Sequence, residues 1–318
     1  MRLGIMLPAM GDDIGSVNIG NISNIIDATV EQARQAEDLD VRSVWFPQRF
    51  DYDSIALAAV VGREVPGVTV GSAAVPIIGR HPLLVGALAQ TAQAATGGRF
   101  QLGIGLGAKD LLAPVFGRVE DRPITHLREF LTALRALLDH GEVDFGGETL
   151  TARTPWPSPV PGAEPSVPVL VAAMGPQALR VAGELADGTL PLLAGPTTLA
   201  EHLVPTINKA ADRAGRPQPR IVALVAGVVT GAVDEVRAKA YQQMQFYESI
   251  PSYRRVLDLE GADRAGDLAV IGSEEQVAEQ VRRYVGAGAT ELVFTHTDVG
   301  GAEDQLRTWR LLGQLVVG

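Results

Sequence analysis

Short apolar runs alternate with stretches of helical period from one end of this chain to the other, and that alternation restricts the fold more than any single motif does. Residues 3–8, 42–47, 68–75, 100–104, 169–173, 188–192, 220–229 and 291–295 read as strands. Helical spacing runs over 22–39, 54–64, 82–96, 125–140, 177–185, 234–249, 274–285 and 302–315, with one more helix ending near residue 215. Ser23 is a candidate cap for the first helix, and Pro82 and Gly97-Gly98 punctuate the third. The strands are continuous apolar runs, as expected when both faces are covered. Eight strand–helix units predict an α/β fold, a (β/α)8 TIM barrel with an insertion before the last strand, as one domain over 1–318. Residues 142–150 read as a hairpin across Gly146-Gly147. Residues 151–168 and about 250–268 read as insertions.

Composition narrows the function. A formal net charge of -10 with no basic cluster argues against nucleic acid or an anionic membrane as partner. The absence of cysteine removes disulfides, thiolate metal sites and thiol nucleophiles. The histidines are scattered without ligand spacing, so no metal centre is expected. No apolar run reaches the roughly 20 residues of a membrane span, and the first strand starts at once with no leader pattern. The expectation is a cytoplasmic protein acting on a small molecule.

Two strand ends carry almost no side chain: Gly71-Ser-Ala-Ala-Val75 and Gly103-Ile-Gly-Leu-Gly-Ala108. Small residues there let something flat approach the backbone. The second stretch fits a dinucleotide fingerprint, G-x-G-x-x-A. It stands on the fourth strand rather than the first, however, and 109–117 reads as broken rather than helical, so the nucleotide-fold reading is set aside. Gly175-Pro-Gln177 follows the fifth strand with a proline at the first helical turn, where free backbone N–H groups suit an anion.

In order along the chain, Gly4…Pro8, Ser43-Val-Trp-Phe46, Gly71-Ser-Ala-Ala-Val75, Gly98-Arg-Phe-Gln-Leu-Gly-Ile-Gly105, Ala172-Ala-Met-Gly-Pro176 and Ala186-Asp-Gly188 resemble the bacterial-luciferase-like flavin oxidoreductases, most of all the branch using the deazaflavin coenzyme F420. The resemblance implies a cofactor at the C-terminal strand ends and a homodimer. It implies a bulge at Ser72, Ala73 and Ala74, often with a non-prolyl cis peptide, propping one face of the ring. Leu106, Gly107 and Ala108 would lie along the ring system and its side chain. Ala173, Gly175, Pro176 and Gln177 would hold the phosphate region. Lys109 would meet phosphate or an anionic tail, and Gln48 the pyrimidine edge.

The chain also departs from that pattern. Gln48-Arg49 stands where many deazaflavin dehydrogenases carry Asp-His, and Ala108 where alcohol-oxidising members carry an acid. This favours a reductase, which needs less from the protein. Arg49 and His81 are the catalytic candidates, Arg49 for an anionic substrate or the cofactor tail, while the proton donor stays open between water, His81 and a tyrosine. Asp51 and Asp53 read as helix caps, and His296, Tyr247 and Tyr253 as further pocket candidates. Two other readings stay open: an FMN-dependent monooxygenase on the same fold, and a barrel that binds a deazaflavin without turnover.

Overall fold

The computed structural model describes residues 1–8, 24–117 and 120–315. Its strands are β1 (Arg2–Met6), β2 (Ser43–Phe46), β3 (Thr69–Ser72), β4 (Val75–Pro76), β5 (Phe100–Gly105), β6 (Asp144–Gly146), β7 (Thr151–Arg153), β8 (Val169–Ala172), β9 (Gly188–Thr189), β10 (Arg220–Val229), β11 (Val270–Gly272) and β12 (Glu291–Thr295). Helices alternate with them as the periodicity predicts. The chain divides into two compact units: Met1–Trp45 with Pro191–Pro205 and Arg220–Gly318, and Phe46–Leu190 with Thr206–Pro219.

In the first unit, parallel strands run in the order β11-β10-β12-β1-β2. Ile5, Trp45, Phe294 and Trp309 are fully buried in it. The first helix runs Ile25–Asp38, and Asn24 caps it through Oδ1, which accepts from the Ile26 amide at 2.9 Å. The cap expected at Ser23 lies outside the described residues. The insertion read over about 250–268 forms a helix, Pro251–Glu260, and a 3-10 turn, Ala265–Leu268, with β11 following it. Proline at the first helical position and Gly261 in the left-handed conformation mark that helix's ends.

In the second unit, β3-β5-β8-β9 are parallel neighbours and β4 also pairs with β5. Phe46, Phe100, Phe130 and Leu102 form its dry interior. The arginine of Gly98-Arg-Phe is structural. Arg99 donates to the carbonyls of Val68 and, at 2.6 Å, Gly62. Asp187 of Ala-Asp-Gly accepts from the Val169 amide at 2.8 Å, from Arg135 at 3.0 Å and from Arg216 at 3.1 Å. Both motif residues therefore tie strand beginnings together, the side of such folds where side chains serve stability.

The hairpin forms, but its turn spans 147–150 and its second strand is β7, inside the segment read as an insertion. Glu129, in helix Pro123–His140, holds that turn. Its buried carboxylate accepts from the amides of Glu148 at 2.7 Å, Thr149 at 2.8 Å and Leu150 at 3.2 Å, and from the Thr149 hydroxyl at 2.6 Å. Burial pushes this carboxyl up, and those hydrogen bonds more than reverse it, so it titrates below its ordinary value. A carboxylate with a folded pKa below the unfolded one, about 4.3, adds stability above that pH and loses it as pH falls through the folded value. Glu129→Gln is expected to cost about 1–3 kcal/mol near neutral pH. In urea titrations the gap from the wild type should shrink as pH drops from about 6 to about 3.

Candidate active site

The candidate residues lie at strand ends of the second unit. Between β3 and β4 the chain breaks at a cis peptide joining Ala73 and Ala74, at the bulge the resemblance implies, so the strand read as continuous over 68–75 is two short strands. Ser72 stitches this break to β5: its buried hydroxyl accepts from the Gly103 amide at 3.0 Å and donates to the Gly103 carbonyl at 3.1 Å. The Ala73 amide donates to the Phe46 carbonyl at 2.8 Å.

Beside the break, three adjacent strands end in small residues. A Cβ built on Gly105 would sit 3.2 Å from the Ala172 Cβ and 3.9 Å from the Ala74 Cβ. Ala172 ends β8 and is exposed while the three residues before it are buried. The result is a floor of methyl groups and bare backbone with open space above Ala172. Leu106 and Ala108 are half-buried, and Gly107 turns the chain with φ +75, a conformation glycine adopts freely. Contrary to the broken segment expected, a helix, Lys109–Phe116, opens at that turn, with Ala108 at its cap position and no capping side chain. Lys109 is exposed and makes no ion pair among the described residues. After β8, Ala173 is buried, and Gly175 caps helix Pro176–Leu185, again without a side-chain cap. Among the described residues nothing lies within 4 Å of a Cβ built on Gly175, and Gln177 is exposed. Two helix N-termini, at Lys109 and Pro176, thus follow β5 and β8 of the small-residue floor. Flatness for a ring and amides for a phosphate are what a deazaflavin or flavin requires, so the residues fit such a group.

The polar candidates are more committed than the sequence suggests. Gln48 spends its carboxamide on its own loop. It donates to the carbonyls of Arg49 at 2.7 Å and Tyr52 at 3.0 Å, and accepts from the Ser54 hydroxyl at 2.9 Å and amide at 3.2 Å. Arg49 grips Asp51 through two nitrogens at 2.9–3.2 Å. Asp51 therefore pairs with Arg49 instead of capping a helix, and that hydrogen bond lowers its pKa. Asp53 is the cap of helix Ser54–Glu64, accepting from Ile55 at 3.0 Å and Ala56 at 3.1 Å, and it also binds Arg80 at 2.8 Å. Burial raises the Asp53 carboxyl, and Arg80 and the amides outweigh it. Asp53→Ala is expected to lower stability by about 2 kcal/mol, read as a shifted urea midpoint, because cap and ion pair go together. His81 caps helix Pro82–Ala95 with Nδ1, 3.3 Å from the Leu83 amide, while Nε2 lies 2.9 Å from the Thr151 carbonyl.

Three further candidates belong to the first unit. His296 follows β12 with φ 55, hydrogen-bonded to Thr295 at 2.9 Å. Burial holds its imidazole below the ordinary value, against the pull of Asp298. Tyr247 and Tyr253 meet edge to face at 5.1 Å and pack on Leu193, Met244 and Leu257, so they serve that unit's interior. The sequence reading missed Phe50, Tyr52, Arg80 and Phe116, which with Gln48–Asp53 line a cleft of about 540 Å³. The Tyr52 hydroxyl is buried without a hydrogen-bond partner among the described residues, and that burial keeps it protonated.

Known proteins share this fold. The coenzyme F420-dependent tetrahydromethanopterin reductase of Methanopyrus kandleri superposes over 98% of this chain and 97% of its own, with a TM-score of 0.78 and 21% identity. In sequence, the 5,10-methylenetetrahydromethanopterin reductase of that organism is 25% identical over 89% of this chain and 91% of its own. The oxygenating constituent of the 3,6-diketocamphane monooxygenase of Pseudomonas putida, solved with FMN, superposes over 99% of this chain and 97% of its own with a TM-score of 0.74 at 17% identity. An uncharacterized protein of Mycobacterium tuberculosis is 33% identical over 195 residues, and that match spans only 57% of each chain. The shared fold is the (β/α)8 barrel that the strand–helix alternation predicts. No helix among the described residues is long and apolar enough to cross a membrane. With that fold, and with the profile of the luciferase-like monooxygenases matching residues 1–291, the chain belongs to the luciferase-like monooxygenase family.

Proposed function

We propose that this protein is an F420-dependent oxidoreductase working as a reductase on a small electron-poor substrate such as an enone, an imine or an activated alkene. One observation carries this reading. The strand ends that would face a ring are Ala74, Gly105, Ala108 and Ala172, which offer methyl groups and backbone but no carboxylate or imidazole. The absence of an acid or base from these four residues suits chemistry in which the cofactor brings the hydride. Two relatives covering over four fifths of the chain are named as F420-dependent, which supports the cofactor, and another is named as a reductase, which supports the direction.

Ser72, Ala73 and Ala74 would support one ring face, and Leu106, Gly107 and Ala108 would run along the ring and its side chain. Ala173, Gly175 and Gln177 would hold the phosphate region through backbone amides at the helix start, and Pro176, which has no N–H to give, would fix the first turn there. Lys109 would meet the anionic tail. A reduced deazaflavin bound there supplies a hydride. The chain's part is to fix distance and face and to keep water out. Gln48, Arg49 and His81 enter as anchors of the loop and helix around the site, since their polar atoms are already bonded. The same reading takes the protein as a cytoplasmic homodimer of single-domain subunits.

The likeness to an FMN-bound oxygenase favours a second reading, a monooxygenase using reduced FMN and dioxygen. Fluorescence titration of purified protein with F420 and with FMN separates the two. The expected result is a Kd for F420 of the order of micromolar and much weaker FMN binding. Micromolar FMN binding with no response to F420, followed by substrate-dependent oxygen uptake, would favour the monooxygenase. F420 binding without turnover on any acceptor tried would leave a deazaflavin carrier.

A further inference from the structure

We propose that the cleft between the 48–53 loop and residues 76–80 is the substrate pocket, and that it selects an uncharged molecule carrying an aromatic ring. The inference rests on the reductase reading for its role, but the cleft's selectivity is readable by itself.

The charges in this cleft cancel locally. Arg49 holds Asp51 at 2.9 Å, and Arg80 holds Asp53 at 2.8 Å. Asp53 is further tied to its helix start, so it cannot swing away without uncapping that helix. An anion entering would have to displace a carboxylate from a charge-assisted pair, and a cation a guanidinium. Neither gains enough in a partly desolvated cleft to repay that loss.

The apolar surface points the same way. Phe50 is 74% and Phe116 42% exposed, and their rings lie 6.3 Å apart at 60°. One comes from the 48–53 loop and the other from the last turn of helix Lys109–Phe116. Two large rings left open to water across one cleft are unusual on a soluble surface, and a flat arene fits between or against them. A volume of about 540 Å³ suits a small molecule. The cleft also adjoins the small-residue floor. Pro76, which lines it, ends the strand after the Ala73–Ala74 bond, and its Cβ is 3.7 Å from where a Cβ on Gly107 would lie. A ligand seated there has its edge next to the proposed ring site.

The test needs no cofactor. Saturation-transfer NMR on the full chain compares cinnamamide and 2-naphthamide with cinnamate and 2-naphthoate, which share their shapes and add a charge. The amides should bind at least about ten-fold more tightly than the acids. Phe50→Ala and Phe116→Ala change exposed rings, so folding is spared, and each should weaken amide binding by about five-fold. Both variants should keep the wild-type affinity for F420 in a parallel titration. Equal or tighter binding of the carboxylates, no transfer to either amide, or transfer undiminished in both variants would overturn the proposal. Loss of F420 binding by the wild type would instead count against the reductase reading and leave the cleft's selectivity to the amide data.

Discussion

Glu291→Ala is expected to destabilise the protein by about 2–3 kcal/mol, the cost of removing a buried carboxylate that accepts from two buried side chains and pairs with a partly exposed arginine. Glu291 begins β12 and is 1% exposed. One carboxylate oxygen accepts from the Ser43 hydroxyl at 2.5 Å and the Trp45 indole at 3.0 Å, and the other binds Arg220 at 2.7 Å. These partners come from β2 and β10, so a single carboxylate joins side chains of three strands in the first unit. Without it, the Arg220 guanidinium and the Ser43 hydroxyl lose their acceptor beside a packed indole. Glu291→Gln keeps one acceptor for Ser43 and Trp45 and should cost less than half as much. Urea unfolding followed by tryptophan emission measures both, and the Trp45 environment should change in the folded baseline of the alanine variant. A cost for Glu291→Ala below about 1 kcal/mol would show that Ser43 and Trp45, 2.9 Å apart, satisfy each other without it.

The same unit shows where sequence patterning reads well and where it does not. β10 and β12 coincide with their apolar runs, because a strand buried on both faces announces itself by composition. Helix Ser54–Glu64 and its Asp53 cap follow from residue type and position. Short elements escape. β9 stops at Thr189 rather than running to residue 192, and Pro191 has no N–H to give a ladder. Helix Lys109–Phe116 carries Pro114 inside it, which masks the helical period. Helix Pro251–Glu260 had readable punctuation at both ends and thin apolar spacing between them.

At the candidate site the split has a different cause. Ser72-Ala73-Ala74 is legible through the family resemblance, which implies a bulge at that strand end. The commitments of Gln48, Arg49 and His81 are not, because a polar side chain near a strand end looks the same in sequence whether it faces a ligand or its own loop. Phe50 gives no periodic signal either: it stands between Arg49 and Asp51, and only the fold shows its ring left in the open.

Gly103→Val is expected to abolish cofactor binding and to lower stability by about 3 kcal/mol or more. A Cβ at this position would fall on the Ser72 carbonyl oxygen and on Leu190 Cδ1. Leu190 can rotate away, but the Ser72 carbonyl is backbone, and Ser72 is pinned to Gly103 by the reciprocal bonds at 3.0 and 3.1 Å. The valine must therefore push β3 off β5 at the point where the chain enters the Ala73–Ala74 bond. Two graded changes separate the effects. Gly103→Ala carries the same Cβ without the branches and should cost about 1–3 kcal/mol. Ser72→Ala adds no bulk but leaves the buried Gly103 amide unpaired, again about 1–3 kcal/mol. If the floor beside the break is where the ring lies, both should lose F420 affinity while still folded, by more than the equally destabilised Asp53→Ala does. Retained wild-type F420 affinity in folded Gly103→Ala would place the ring elsewhere, because no rearrangement of side chains alone can make room for that methyl group.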